Sequence, residues 1–213
     1  MMLGARTAAW SPSGAPLPYM RRLSYLESHG DEYINTMHKL AKSETVYIDV
    51  SPVRNNINGM TFWGGGKGDG SSGVGDNLAL SVTYGWKQSF QFTCTYPNAN
   101  SVIPFEFFER YYVKCELSQG RMTIGDVSKT YAYQIPEQSN FECYLFAKNN
   151  NGDVFRACSA RIYSFEIVNS VESVMKLIPV IDISGRPAMY DEVSGQFFYN
   201  QGAGEFTFGE LDG

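Results

Sequence analysis

This chain of 213 residues has few histidines and no closely spaced pair of cysteines. The only histidines are His29 and His38, and the four cysteines never occur as C-x-x-C. A hydrolytic triad needs a histidine base beside a nucleophile, and the motifs G-x-S-x-G and H-E-x-x-H are both absent. We therefore expect ordinary surface histidines, reduced cysteines buried in the core, and no metal or cofactor.

Charge is scarce as well. Charged residues make up 18% of the chain, the net charge is −5, and the largest basic cluster is the pair Arg21-Arg22. Nucleic-acid affinity depends on clustered basic groups, so we expect no nucleic-acid partner. The longest apolar run, MKLIPVIDI, is far shorter than the roughly 20 residues that span a bilayer. The N-terminus lacks the pattern of a secretion signal, so we expect synthesis in the cytoplasm and no membrane insertion.

Aromatic residues are abundant, with 14 Tyr and 14 Phe, and 21 glycines supply turns. The segment TVYIDVSPV places Val46, Ile48 and Val50 on one face of a strand and Tyr47 and Asp49 on the other. NLALSVTYG, SFQFTCTY and ARIYSFEIV alternate in the same way. Alternation with period two, interrupted by turn signals, predicts an all-β, two-sheet antiparallel sandwich or jelly roll of about a dozen strands.

Two regions at the N-terminal side need separate interpretations. Residues 1–18 are rich in Ala, Gly, Pro and Ser, and we interpret them as a flexible or docking arm ahead of a domain spanning 19–213. The segment DEYINTMHKLAKSE has apolar residues at helical spacing and is the best helical candidate.

A glycine-rich segment, FWGGGKGDGSSGVGDN, invites a nucleotide-binding interpretation. Gly68, Gly70 and Gly73 match G-x-G-x-x-G, but the following segment predicts a strand rather than the helix that the motif requires. The P-loop form also fails, because Lys67 is followed by glycine and not by Ser or Thr. A long hairpin loop is the simpler interpretation.

The same loop is the candidate ligand site, since long loops often carry binding residues. Asp69 and Asp76 would supply oxygen ligands for calcium, although their spacing matches no known calcium motif. Trp63 and Trp86 lie on either side, where they would either stack on sugar rings or pack in the core. With Lys67, these residues make up the predicted ligand-binding set.

A glycosidase on such a fold would need two carboxylates about 5–5.5 Å apart. Laminarinase-type glycosidases carry E-x-D-x-x-E, and this complete motif does not occur in the chain. Glu106 and Glu109 are three residues apart, which places them on opposite faces of a strand. The sequence therefore argues against an enzyme and predicts no catalytic residues.

Both ends of the chain resemble a known set of proteins. LSYLESHGDEYINT resembles the opening of phage and prophage structural proteins from gut bacteria, and the closing run from YLFAKNNNGD to FFYNQGAGEF resembles their C-terminal signature. The resemblance implies a concanavalin-like, laminin-G-like jelly roll in which EYINT is a short strand and HKLAKSE a loop. It also implies that SYLESHG and SVMKLIPVID lie side by side.

The resemblance implies a function in the virion. The first hypothesis is a non-enzymatic surface protein of a fibre, tail or head decoration, with a lectin-like domain that recognises a host-surface glycan. The second is a structural decoration or connector that binds other virion proteins through residues 1–18, and the third is a glycoside hydrolase. A homo-oligomer in the particle is expected.

The segment PAMYDEVSGQFFYNQGAGEF is predicted to be a terminal clasp. Alternation around Ser194-Gly195 indicates a hairpin, in which Asp191 caps backbone N–H groups of the turn. Residues 200–204 form a second predicted turn before Phe206.

Overall fold

The computed structural model describes residues 17–54, 59–67, 77–82, 88–94, 102–130 and 137–211. Within these residues the chain forms strands joined by turns, with one 3-10 turn at Leu117–Gln119. In chain order the strands are β1 (Tyr19–His29), β2 (Ile34–Asn35), β3 (Glu44–Arg54), β4 (Met60–Gly66), β5 (Asn77–Val82), β6 (Ser89–Cys94), β7 (Val102–Pro104), β8 (Tyr111–Glu116), β9 (Arg121–Ile124), β10 (Val127–Thr130), β11 (Tyr144–Leu145), β12 (Lys148–Asn150), β13 (Asp153–Phe155), β14 (Ser159–Asn169), β15 (Glu172–Asp182), β16 (Pro187–Asp191), β17 (Phe197–Phe198) and β18 (Thr207–Glu210).

The strands form two sheets that pack face to face. The larger sheet runs β10-β9-β8-β3-β14-β1-β15-β16-β17, with β18 paired to β1 beside this path. The smaller sheet runs β13-β12-β4-β5-β6-β7, with β2 and β11 attached through β4. Pairing is antiparallel except between β12 and β4. The predicted all-β, two-sheet sandwich is confirmed; the strands outnumber the expected dozen because several are only two or three residues long.

Strand β3 shows how alternation builds the core. Val46, Ile48 and Val50 are buried between the sheets, while Tyr47 and Asp49 lie on the outer face. Most of the buried hydrophobic side chains of the two sheets form one cluster, which includes Phe62 and Phe90, and a smaller second cluster lies on β15 and β16. This segment therefore adopts the alternating pattern predicted for a strand with one face on the core.

Strand β1 lies in the middle of the larger sheet. Its first part pairs with β15, where Arg22 is opposite Val180, and its last part pairs with β14, where Leu26 is opposite Ile162. The prediction that SYLESHG lies beside SVMKLIPVID is wrong in register, because β1 pairs with β15 only through residues 19–22. The later residues of β1 pair with β14 and β18 instead.

The region with helical spacing is not a helix. Ile34–Asn35 forms β2, and the chain then runs as a loop to β3, as the resemblance implied. Met37 has a φ of 58°, which is left-handed and ends any helical path. The backbone instead pairs with a distant segment, since Cys143 N–H donates to the carbonyl of His38 at 2.8 Å.

The predicted hairpin at the C-terminus is confirmed. Strands β16 and β17 pair antiparallel, and Gly195 N–H donates to the Asp191 carbonyl at 2.8 Å. The buried Asp191 side chain accepts hydrogen bonds from the backbone N–H groups of Lys176, Val193 and Ser194. Asp191 thus caps the turn and also ties it to β15.

The second turn, residues 200–204, closes onto the loop that follows β1. Gln201 N–H donates to the Tyr33 carbonyl at 2.9 Å, and Ala203 N–H donates to the Asp31 carbonyl at 3.2 Å. A Cβ at Gly202 would overlap the Asp31 carbonyl oxygen. This turn therefore needs glycine at position 202 because the two backbones approach closely, and not because of a special φ. The predicted clasp joins the two ends of the domain.

Asp182 organises the turn between β15 and β16. It is buried, and it accepts hydrogen bonds from Ser184 Oγ, the Arg186 N–H and the Tyr199 hydroxyl. Burial by itself raises the pKa of this carboxyl, but the hydrogen bonds outweigh burial and hold the pKa below its ordinary value. The ionised carboxylate is therefore the form that this turn stabilises.

Three cysteines, Cys115, Cys143 and Cys158, are buried and form no disulfide bond. Burial raises the pKa of the Cys143 and Cys158 thiols far above the ordinary value. The expectation of reduced core cysteines is confirmed for these three, while the side chain of Cys94 lies outside the described part. Among the described residues, no helix has the length and apolar character needed to cross a membrane.

We expect Gly202→Ala to lower the free energy of unfolding by about 1–3 kcal/mol, because the added methyl group meets backbone that cannot move freely. Urea denaturation measures the change. The control is Ala203→Ser at the neighbouring exposed position, which should stay within about 0.5 kcal/mol. A Gly202→Ala variant as stable as the parent would contradict the close contact.

Asp182 should make folding stability depend on pH. Because its pKa is lower in the folded state than in the unfolded chain, its contribution is complete above the unfolded value of about 3.9 and is lost as the pH falls towards the folded value. Urea denaturation from about pH 6 to pH 2 should show a steeper decline for the parent than for Asp182→Asn. Asp153→Asn, on an exposed strand, should keep the parent's slope; equal slopes for all three proteins would refute the assignment.

Candidate functional site

The structure places two of the five residues predicted to bind a ligand. Trp63 is 0% exposed in β4, with its ring 5.9 Å from that of Phe92, so protein covers both faces of the indole. Lys67 is exposed just after β4. The other three predicted residues, Asp69, Asp76 and Trp86, lie outside the described residues, as does most of the glycine-rich loop.

The two histidines differ in their surroundings. His29 is exposed. His38 is half-buried, and its Nε2 lies 3.0 and 3.1 Å from the two carboxylate oxygens of the buried Glu44. Glu44 also accepts a hydrogen bond from the Ala41 N–H. His38 is therefore a fixed part of the loop before β3 rather than an ordinary surface residue, which the sequence did not indicate.

A group of tyrosines and ion pairs covers the outer face of the larger sheet. Its members come from β1, β3, β8, β14 and the residue just before β8. Each member makes a ring contact, a cation–π contact or a hydrogen bond with another member. We call this group the tyrosine–arginine face; its residues are Tyr25, Glu27, Tyr47, Asp49, Arg110, Tyr112, Arg161 and Tyr163.

Strand register explains why these side chains meet. Asp49 of β3 lies opposite Tyr112 of β8, and on its other side the register of β14 shifts between Ile162 and Ser164. This β-bulge lets both Ile162 and Phe165 face the core although they are three residues apart. It leaves Tyr163 on the outside, consistent with the role of bulges in redirecting side chains.

Arg110 is the centre of one half of the face. Its Nε and Nη2 donate to the two oxygens of Asp49 at 2.8 and 2.6 Å, and its guanidinium lies 3.9 Å from the centre of the Tyr163 ring. The hydrogen bonds to Asp49 raise the pKa of Arg110, so the guanidinium stays charged. A bidentate pair stacked on an aromatic ring has one well-defined orientation.

Arg161 repeats this arrangement in the other half. Its Nε donates to Glu27 at 2.6 Å across the β1–β14 pair, and its guanidinium lies 4.7 Å from the centre of the Tyr25 ring. The bond to Glu27 raises the pKa of Arg161. Tyr25 and Tyr163 meet edge to face with ring centres 5.4 Å apart, which connects the two halves.

Tyr47 and Tyr112 extend the face towards β8. Their rings are stacked with centres 5.8 Å apart, and 56% of Tyr112 is exposed. Burial of part of the ring, followed by the nearby Glu166, raises the pKa of the Tyr112 phenol. The hydroxyl therefore stays protonated at neutral pH and can donate a hydrogen bond.

The face offers exposed aromatic surface next to fixed hydrogen-bonding groups. Arginine donates, carboxylates accept, and the tyrosine hydroxyls do both. All of these groups except Arg110 are carried by β-strands, which hold a site more precisely than loops do. Such a surface suits a ligand with both apolar patches and many hydroxyl groups.

The residues that the structure describes contain no cluster suited to a metal ion. Within that part of the chain, no three His, Cys, Asp or Glu side chains come together in a way that could hold a metal ion. Glu106 and Glu109 lie exposed in the loop between β7 and β8, rather than on the strand that the sequence suggested. No protein-family model matches the chain, and a search of curated proteins gave no match.

The tyrosine–arginine face was only partly visible in the sequence. The outward positions of Tyr47 and Asp49 follow from the alternation in β3. Arg110 ends the loop before β8 and lies 61 residues after Asp49 in the chain. Only the pairing of β8 with β3 brings the two residues together. Strand alternation was therefore the sequence signal for the outer face. The contacts within the face could not be predicted without knowing which strands pair.

We expect the Arg110–Asp49 pair to contribute little to folding, because Arg110 is largely exposed. A double-mutant cycle with Asp49→Ala and Arg110→Ala should give a coupling energy of about 0.2–1 kcal/mol by urea denaturation. The exposed pair Lys42–Glu137 is the matched control and should give a smaller value. A coupling well above about 2 kcal/mol would instead identify the pair as a structural element.

Proposed function

We propose that the protein is a non-enzymatic phage virion surface protein, part of a fibre, tail or head decoration, whose domain binds a host-surface glycan through the tyrosine–arginine face. The observation that carries this proposal is the exposed Tyr112 ring beside the stacked Tyr47 and the fixed Arg110–Asp49 pair. The resemblance of both chain ends to phage structural proteins supports the virion context.

Sugar chemistry fits this face in two ways. The C–H side of a sugar ring packs on an aromatic ring, whose amphipathic character suits a partly wet surface. Sugar hydroxyls both donate and accept, so a guanidinium and a carboxylate held side by side can bind neighbouring hydroxyls. Because Asp49 and Arg110 already hold each other in place, binding costs little side-chain ordering.

The proposed activity is binding without catalysis. Each oxygen of Asp49 accepts one hydrogen bond from Arg110 and keeps a lone pair for a sugar hydroxyl, and Glu27 accepts a hydrogen bond from Arg161. A glycosidase needs two carboxyl groups facing one scissile bond, one of them as a proton donor. The acidic residues of the tyrosine–arginine face are instead committed to arginine, which supports a recognition role.

An open sheet face predicts weak binding by each copy. Such a site buries less of a ligand than an enclosed pocket does. Several linked copies in a particle would raise the overall avidity without new contacts, provided that the copies reach the same surface. A homo-oligomeric virion component therefore suits this proposal.

A glycan array tests the proposal. The full chain, presented as a multivalent conjugate, should bind at least one glycan above background, and Tyr112→Ala should reduce that signal at least about tenfold by removing the stacking surface. Phe208→Ala removes an exposed ring at another place and should leave the signal unchanged.

The outcomes separate the alternatives. Absence of binding to every glycan would refute the recognition role and leave the structural decoration or connector as the better hypothesis. Binding that survives Tyr112→Ala would refute the assignment of this face. Release of reducing sugar from a bound glycan would refute the non-enzymatic role.

A further inference from the structure

A groove lies at the C-terminal clasp, away from the tyrosine–arginine face. It is lined by residues 185–187 of the β15–β16 turn and by Tyr199, Asn200, Glu205 and Phe206. Its volume is about 330 Å³, near the lower end of the roughly 300–1,000 Å³ range of small-molecule sites. None of the residues that line this groove belongs to the tyrosine–arginine face.

Arg186 is held in position in the lining of the groove. Its guanidinium lies 4.1 Å from the centre of the Tyr199 ring, and its Nε is 3.5 Å from a carboxylate oxygen of Asp182. The Tyr199 hydroxyl donates to that same oxygen of Asp182 at 2.9 Å. Arg186 is nevertheless 64% exposed and lines the groove, so its cationic donors are accessible there.

Asn200 and Phe206, which also line the groove, are equally well held. Asn200 Oδ1 accepts hydrogen bonds from the Tyr33 and Gly202 N–H groups, and its Nδ2 donates to the Gly204 carbonyl at 2.5 Å. Phe206 is buried, with its ring 4.9 Å from that of Phe146. The groove is thus shaped by elements that are already fixed without a ligand.

The charges of the groove limit what it can accept. Arg186 provides the positive charge, and the exposed Glu205 provides a negative charge in the same lining. Asp182 adds a second carboxylate behind Arg186. A ligand with a net charge of either sign therefore meets a like charge as well as an opposite one, and gains little net attraction.

We infer that this groove is a second glycan site, specific for a neutral sugar unit. Arg186 donates to a hydroxyl oxygen, and Glu205 accepts from a hydroxyl proton, so a pair of sugar hydroxyls satisfies both groups without a net charge. The inference rests on the proposed function for the glycan nature of the ligand, but it uses different residues and a separate surface.

Saturation-transfer NMR on the full chain tests the inference, with the methyl glycosides of glucose, galactose and mannose as probes. Glucuronic acid and glucosamine serve as the charged comparisons. At least one neutral glycoside should show transfer that is stronger than that of either charged sugar. Glu205→Ala and Arg186→Lys should each weaken its binding about tenfold, because each removes a charge-assisted hydrogen bond or its fork geometry.

Control measurements separate loss of the site from loss of the fold. Glu172→Ala removes an exposed glutamate elsewhere and should leave the transfer unchanged, and thermal melting verifies that each variant is folded. Equal or stronger transfer to glucuronic acid or glucosamine would overturn the neutral-sugar assignment. Transfer that survives both groove variants, or no transfer to any sugar, would overturn the groove as a site.

The two proposals can fail independently. If Tyr112→Ala abolishes array binding while the groove variants change nothing, the groove inference falls and the tyrosine–arginine face stands. If Glu205→Ala abolishes binding while Tyr112→Ala does not, the groove stands and the assignment of the tyrosine–arginine face falls.

Discussion

The larger sheet depends on the pairing of β1 with three strands that come much later in the chain. One stretch of eleven residues pairs with β14, β15 and β18, so the two ends of the domain are held in a single sheet. Leu23 and Leu26 point into the core from this strand, and Tyr25 and Glu27 point outward. Loss of this pairing would therefore disrupt both the core and the tyrosine–arginine face.

The buried carboxylate of Glu32 orders the loop after β1, which the C-terminal clasp contacts. Glu32 accepts hydrogen bonds from Ser28 Oγ and from the N–H groups of His29 and Asp31. Burial by itself raises the pKa of Glu32, but these hydrogen bonds bring the pKa below its ordinary value. The ordered loop then presents the carbonyl of Asp31 to the turn at residues 200–204, and glycine there allows the approach. Sheet pairing and the clasp are therefore two parts of the same closure.

The fold was predictable from the sequence where the signal is local. Alternation in β3 and the Asp191 turn follow from neighbouring residues, and the structure has both. Features that depend on distant strands were not predictable: the Arg110–Asp49 pair requires the β3–β8 register, and the His38–Glu44 pair requires the loop conformation before β3. The sequence left Trp63 open between sugar stacking and core packing, because alternation in β4 does not distinguish the two when the residues of the strand are buried on both faces.

Paired charges explain how a chain with few charges and an acidic balance can present two polar surfaces. On the tyrosine–arginine face, Arg110 and Arg161 are matched by Asp49 and Glu27, so the face has no net charge from these groups. In the groove, Arg186 is matched by neighbouring carboxylates. Long-range attraction of a charged ligand is then weak, and selectivity depends on short hydrogen bonds and ring packing at fixed positions. This is the arrangement that suits an uncharged, hydroxyl-rich ligand, and it follows from the same cross-strand contacts that hold the sheet in register.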